Sequence, residues 1–398
     1  MMNPFIKSRV FLKKNEEKRI KDGHFWAFNN EVEKVQGEPE NGEIVELYDA
    51  GNNMIGEGFY NKNSLITVRI LERKNVEDIQ SLFENRIRQA YNLRKEFYPE
   101  RNSFRMVYSE SDYLPGLIID KYNNAFVLQI YSAGMEKNIN SVVEILIKHY
   151  NAENIFTKNE SSFRNLEFLP ESDTTYLGSM KEEVIDDGTI KYKINFERGQ
   201  KTGFYFDQCD NRAFVEKISK GKNFLDAFCN SGAFGLHAAK AGAKSVTFVD
   251  SSDFAITSAQ DNFKLNKLKS GSEFITEDVF DFFNRSIDAE KKFDIVNVDP
   301  PAFAKNKKNL PVAKKGYEKL NKLALRLIND GGYLVTSSCS HYLSRHDFFD
   351  IIRVSARKAG KNLQQIYFCT ASLDHPEIPA MLETSYLKFA VFKVHDTI

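Results

Sequence analysis

Three aspartates, each at or near the end of a strand-like run, carry the clearest chemistry in this 398-residue chain. Asp226 lies near the end of the run Asn223-Phe224-Leu225-Asp226-Ala227-Phe228, which leads into Cys229-Asn230-Ser231-Gly232-Ala233-Phe234-Gly235 and then a helical pattern. Small residues at such a strand-to-helix turn let the backbone approach a ligand closely. The turn lacks Gly-x-Gly-x-x-Gly and Gly-Lys-Ser/Thr, which weighs against a dinucleotide and against a P-loop nucleotide. A ligand with an amino acid end fits better. Asp226 would receive its ammonium group, and Phe228, Asn230 and Gly232 are further candidate contacts. Asp250 closes Val246-Thr247-Phe248-Val249-Asp250, 24 residues after Asp226, where it can accept hydrogen bonds from ribose hydroxyls. Asp278, in Glu277-Asp278-Val279-Phe280, follows the next strand and suits an adenine amino group, with an apolar neighbour for the ring. One such acid would serve equally well as a helix N-cap. Three in register at successive strand ends point to a single ligand.

Two further loops follow later strands. Asn297-Val298-Asp299-Pro300-Pro301-Ala302-Phe303 carries two prolines, which fix the backbone and remove donors, so its carbonyls are free to face a substrate. Thr336-Ser337-Ser338-Cys339-Ser340-His341 carries a cysteine, which as thiolate is a nucleophile and as thiol a small packing residue.

These loops need a scaffold, and the chain supplies it. From about Asn223 the pattern alternates strand and helix, with strands at 223–228, 245–250, 273–277, 293–299 and 332–338 and a further helix near 345–358. That alternation predicts an α/β, doubly wound parallel sheet. Two late strands, near 364–370 and 386–394, fall outside the rhythm and flank a loop with Pro376 and Pro379. Residues 1–72 read as short strands punctuated by Gly, Asn and Asp, at Gly42–Tyr48, Met54–Tyr60 and Ile66–Leu71, as in a small β-barrel. A helix over about Asn75–Glu96 follows, with Ile79, Leu82, Phe83, Ile87, Ala90 and Leu93 on one face. Strands at Leu114–Asp120 and Asn124–Ile130, a helix at 136–150, and strands at 153–158 and 182–196 form a small α+β unit. The expected domains are 1–72, 73–190 and 191–398.

The ordered acids resemble those of class I S-adenosylmethionine (SAM) methyltransferases. The late strand pair strengthens the likeness, since that family inserts an antiparallel strand last, here Tyr386–Phe392. The resemblance implies that Asp299, with Pro300 and Pro301, recognises a target base and that Cys339 lies in the second loop beside the methyl donor. Carbon 5 of a pyrimidine is a poor nucleophile. Attack by a Cys339 thiolate at carbon 6 would make it enamine-like and able to take a methyl group. His341 is near in sequence, but no base for the final proton stands out.

Over nearly its full length the chain resembles the RNA cytosine-5 methyltransferases of the ribosomal large subunit methyltransferase I type. The segments Ser111–Tyr122 and Gly199–Gln208 carry this, together with Asp226–Gly235, Asp299-Pro300-Pro301 and Ser338-Cys339-Ser340. The resemblance implies an N-terminal PUA barrel that binds RNA, 23S ribosomal RNA being the expected substrate. It also implies a central α+β domain and a Rossmann-like catalytic domain covered by residues 199–212, with Phe204 and Gln208 toward the cofactor. Lys13, Lys14, Lys18, Arg19, Lys21, His24 and Trp26 form the candidate RNA face. Two departures stand out: Cys209 where the family often has Arg, and Asn230-Ser231 where many members have Tyr-Thr or a similar pair.

Composition bounds the remaining classes. Lys+Arg and Asp+Glu balance at 55 each, so a globally basic nucleic-acid binder is excluded, though a local basic groove is not. The four cysteines form no Cys-x-x-Cys pair, no metal site is expected, and free thiols fit a reducing cytosol. No apolar stretch spans a membrane and the first residues lack a secretory core, so the expected location is cytoplasmic. Two other functions stay open, as does a homodimer. One is methylation of another base or of a ring or exocyclic nitrogen, with Cys339 structural. The other is a non-catalytic RNA-binding assembly factor.

Overall fold

The computed structural model describes residues 7–199, 201–304 and 306–397. The first six residues of the expected barrel and Gln200 of the Gly199–Gln208 motif lie outside the described residues. The chain divides into two compact units. The first comprises 1–185, 194–206 and 373–384, and the second 186–193, 207–372 and 385–398.

The first unit holds two sheets. Six strands run in the spatial order Trp26–Phe28, Ile66–Glu72, Met54–Tyr60, Ile44–Tyr48, Arg9–Leu12 and Val32–Gln36. Their alternating apolar residues, among them Val10, Leu12, Val45, Leu47, Val68 and Ile70, share one core. Five more strands run Thr175–Leu177, Asn154–Thr157, Ala125–Ile130, Leu117–Tyr122 and Ser103–Tyr108, packed by helices Ile79–Phe97 and Ala133–Tyr150. Asp78 caps the first helix by accepting the Gln80 and Ser81 N–H groups.

This small α+β part differs from the expectation in two places. Ser103–Tyr108 adds an unpredicted strand, antiparallel to Leu117–Tyr122. Residues 182–196 form two strands, Glu183–Asp186 and Lys191–Ile194. The break falls at Gly188, whose φ of +96° suits glycine, and the Asp187 side chain accepts the Thr189 and Ile190 N–H groups.

The second unit is one seven-stranded sheet. Its strands are β1 (Asn223–Ala227), β2 (Ser245–Asp250), β3 (Gly271–Thr276), β4 (Phe293–Val298), β5 (Ile328–Ser338), β6 (Lys361–Cys369) and β7 (Lys388–Asp396). The helices are α1 (Cys209–Ser219), α2 (Ala233–Lys240), α3 (Asp253–Leu265), α4 (Val279–Asp288), α5 (Leu310–Arg326) and α6 (Arg345–Ala359). The spatial order is β3-β2-β1-β4-β5-β7-β6, with only β7 antiparallel to its neighbours. β7 thus inserts between β5 and β6, as the resemblance to class I methyltransferases implies for the late run. Leu225, Val249, Val296 and Leu334 pack with α4, α5 and α6 in one cluster. Phe248, one residue from Val249 and so on the opposite face, meets Phe263 of α3. Among the described residues no helix is long and apolar enough to cross a membrane.

Candidate functional site

Parallel strands place their C-terminal ends together, and ligands of such sheets bind where the strand order reverses. Here the reversal lies between β1 and β4, so the loops after those strands and after β2 and β5 are the candidates.

Asp226, on β1, is 1% exposed. One carboxylate oxygen accepts the Gly235 N–H at 2.8 Å, the other the Asn297 Nδ2 at 2.8 Å. Burial pushes this carboxyl up to about 7, against the pull of those two bonds, and the charge on Asp299 adds to the rise. The other atom of the Asn297 amide, Oδ1, is buried with no hydrogen-bond partner. A buried carboxyl hydrogen-bonded to no cation, beside an orphan acceptor, fits an ammonium-bearing ligand. The loop that follows alternates through left-handed backbone at Phe228, Asn230 and Gly232, with φ of +60°, +49° and +83°. A Cβ at Gly232 would meet the Ala259 Cβ at 2.9 Å, so only glycine keeps this turn tight.

Asp250, at the end of β2, accepts the Asn230 N–H at 3.0 Å and the Ser252 N–H at 3.0 Å. It ties the β1 loop to the neighbouring strand. Asp278 caps α4 by accepting the Phe280 and Asp281 N–H groups, the role an isolated strand-end acid would have. Both acids sit at the expected strand ends, each with part of its hydrogen-bonding capacity spent on the backbone.

Asp299 lies at the exit of β4. Its Oδ1 accepts the Ser337 hydroxyl from β5 and the Gln208 Nε2 at 3.2 Å. Burial pushes its carboxyl up to about 6, eased by the Ser337 bond and aggravated by the charge on Asp207. Gln208, expected toward the cofactor, is held on Asp299, while its Oε1 accepts the Asn211 Nδ2 at 2.7 Å. Pro300 is buried and Pro301 exposed. Phe204 belongs to the first unit, where it packs on Phe206 and its N–H donates to the Tyr122 hydroxyl at 3.0 Å.

Cys339 is partly buried just past β5. The Tyr317 phenol of α5 organises its loop, accepting the Ser338 hydroxyl at 3.0 Å and sharing a 2.9 Å bond with Ser340. The same phenol accepts the Phe303 N–H at 3.5 Å, and Ser340 Oγ accepts the Ala304 N–H at 3.3 Å. One tyrosine therefore joins the Asp299-Pro300-Pro301 loop to the Cys339 loop. Tyr386 lies beside His341, and its hydroxyl donates to Asp207 at 2.5 Å.

Sequence reasoning missed Asn297, Ser337, Tyr317, Asp207 and Lys388. Lys388 had a signal, since a lysine inside the apolar run Leu387–Phe392 needs a reason to be there. Tyr317 had none, because it lies among ordinary helix residues.

The expected basic face is largely consumed internally. Arg19 pairs with Glu31 at 2.7 Å, and Lys21 with Asp49 at 2.7 Å. His24 is buried, and the Trp26 Nε1 donates to Glu110 at 2.8 Å. Lys13 donates to the Asn30 carbonyl, and Lys14 and Lys18 remain solvent-facing. Charge runs near a chain start read as one face only until their carboxylate partners, far off in sequence, are known.

Comparison with known proteins gives this geometry its context. The chain is 36% identical to a ribosomal RNA large subunit methyltransferase I of Shewanella frigidimarina, across 97% of this chain and 99% of that one. It is 34% identical to the Vibrio vulnificus protein of the same description, across 98% and 100%. The chain belongs to the ribosomal RNA large subunit methyltransferase I family. A PUA-like domain model matches residues 10–73, on the six-stranded sheet, and the model described as conserved hypothetical protein 95 matches 203–367. The crystal structure of SMU.776 complexed with SAH superposes with a TM-score of 0.84, at 21% identity, covering 97% of this chain and 99% of that one. The Methanocaldococcus jannaschii tRNA m1G37 methyltransferase superposes with a TM-score of 0.51, at 17% identity, over 90% and 92%. The fold of this family member is thus a Rossmann-like methyltransferase sheet accompanied by a PUA-like domain. A sheet shared with a guanine methyltransferase does not choose the acceptor atom, so the acceptor has to be argued from side chains.

Proposed function

We propose that this chain transfers a methyl group from SAM to carbon 5 of a cytosine in 23S ribosomal RNA, in the cytoplasm, with Cys339 as nucleophile. SAM supplies an electrophilic methyl group. Asp226 and the Asn297 Oδ1 take its ammonium, Asp250 its ribose hydroxyls and Asp278 its adenine amino group. Phe228, Asn230 and Gly232 shape the turn around it, and Phe204 belongs to the same set. The PUA-like sheet holds the RNA. The domain limits proposed for this division of labour are 1–72, 73–190 and 191–398.

The single observation that carries the acceptor is the Tyr317 phenol, which fixes the Cys339 and Asp299 loops against each other. The thiolate bonds to cytosine carbon 6, and the displaced electron pair makes carbon 5 a nucleophile. Asp299, with a carboxyl near 6, gives a proton toward the ring nitrogen as that charge develops. Pro300 and Pro301 leave the neighbouring carbonyls open to the exocyclic amino group. Transfer of the methyl to carbon 5 leaves S-adenosylhomocysteine. The carbon 5 proton then passes to water, the carbon 6–sulfur bond breaks to release the thiolate, and the ring nitrogen returns its proton to Asp299, which restores the aromatic ring.

Replacing Cys339 by Ala should lower methyl transfer to 23S RNA by on the order of 10³-fold or more, since the covalent route is removed. SAM affinity by calorimetry should stay nearly unchanged. Retention of full activity in that variant contradicts the covalent route. A methylated guanine or exocyclic nitrogen in the product would contradict the acceptor.

A further inference from the structure

Lys388 opens β7, opposite Ser338 in the antiparallel register with β5. It is 6% exposed. Its Nζ donates to the carbonyl of Ser340 at 2.7 Å and to that of Tyr386 at 2.7 Å. Neither partner is a carboxylate. A buried ammonium balanced only by carbonyl oxygens is costly, and proteins usually neutralise it with an acid. The ammonium is instead pinned to the residue that follows Cys339.

We propose that Lys388 is a positioning residue that sets the Cys339 thiol in its reactive, ionised form by holding a fixed positive charge against the Cys339 loop. This rests on the reading of Cys339 as nucleophile. A thiol beside a lysine ionises more readily than a free one, because the cation stabilises the thiolate. The reverse effect is present as well. Burial pushes the Lys388 ammonium down to about 8, and the charge on Cys339 works against that fall. At neutral pH the lysine is therefore still mostly protonated.

Among the described residues, the other titratable groups near the thiol are engaged differently. Tyr317, from α5, is held neutral by burial, and the charge on Cys339 raises it further. Tyr386 is engaged with Asp207, and His341 lies tilted against the Tyr386 ring. Asp299, reached through Ser337, is an acid and would oppose ionisation. Lys388 brings a positive charge to this group. Its place on the inserted antiparallel strand gives that strand a chemical role besides closing the sheet.

The test is the rate of iodoacetamide labelling of Cys339 against pH, read by mass spectrometry of the peptide that carries it in the full chain. The wild-type midpoint should lie about one unit or more below the ordinary thiol value of ~8.5. Lys388→Met should raise the midpoint by about one unit or more, roughly tenfold less thiolate at neutral pH, while S-adenosylhomocysteine binding shows the site still folded. Lys388→Arg keeps the charge and should stay near wild type. A wild-type midpoint at or above the ordinary value overturns the proposal, whether or not the Met variant folds. So does an unchanged midpoint in a folded Met variant. Labelling does not depend on catalysis, so a Cys339→Ala variant with full activity would remove the nucleophile reading without deciding the lysine's effect on the thiol.

Discussion

Asp226 is held in a state that a ligand should change. Its carboxyl, pushed to about 7 by burial, has two hydrogen bonds and no cation among those bonds. A folded value above the unfolded one of 3.8 means the native state binds the extra proton. That contribution to stability is fully present below the unfolded value and is lost as pH rises through about 7. Asp299 acts in the same direction, up to about 6. Thermal unfolding of the ligand-free protein should therefore show a loss of stability between these limits. Asp226→Asn should reduce that loss and raise stability at pH 8, by roughly 2–4 kcal/mol. A cationic ammonium favours the carboxylate, so S-adenosylhomocysteine affinity should weaken as pH falls below about 7 in wild type. An Asn variant that binds as tightly as wild type with the same pH profile would contradict the role given to Asp226.

The elements were legible where periodicity alone defines them. Alternation of strand and helix from Asn223 onward was enough to expect the sheet, while the insertion of the run at Tyr386–Phe392 followed from the family resemblance and not from its pattern. Exact side-chain roles were less legible, because a strand-end acid can cap a helix or meet a ligand. Asp278 shows capping plainly, and Asp250 ties two loops together. The helix after the first loop adds a packing constraint that the sequence hid. A Cβ at Gly235 would lie 2.3 Å from the Phe248 ring, and that ring is stacked on Phe274 at 4.7 Å. Gly235→Ala should cost about 1–3 kcal/mol through overpacking, seen as a thermal midpoint several degrees lower. An unchanged midpoint would mean that α2 can shift away from β2 freely.

At the scale of the molecule, two segments inside the stretch 191–398, residues 194–206 and 373–384, belong to the first unit. Arg94, buried, pairs with Asp112 and donates to the Asp374 carbonyl, 280 residues away, while the Asp374 carboxylate accepts the Arg105 N–H. A loop anchored by residues far off in sequence leaves no periodic trace, whereas local patterns around Asp226, Asp299 and Cys339 do. The chain as a whole holds a PUA-like sheet and a methyltransferase sheet, and the reaction proposed for it is a cysteine-linked transfer to cytosine carbon 5. The most direct measurement is covalent trapping. 23S RNA containing 5-fluorocytosine is incubated with the protein and SAM, because fluorine at carbon 5 cannot leave as a proton does and so stops the reaction at the adduct. The account predicts a denaturant-stable protein–RNA product whose cross-linked peptide contains Cys339, absent in Cys339→Ala. Normal methylation of unmodified 23S RNA with no adduct on the fluorinated RNA would contradict it.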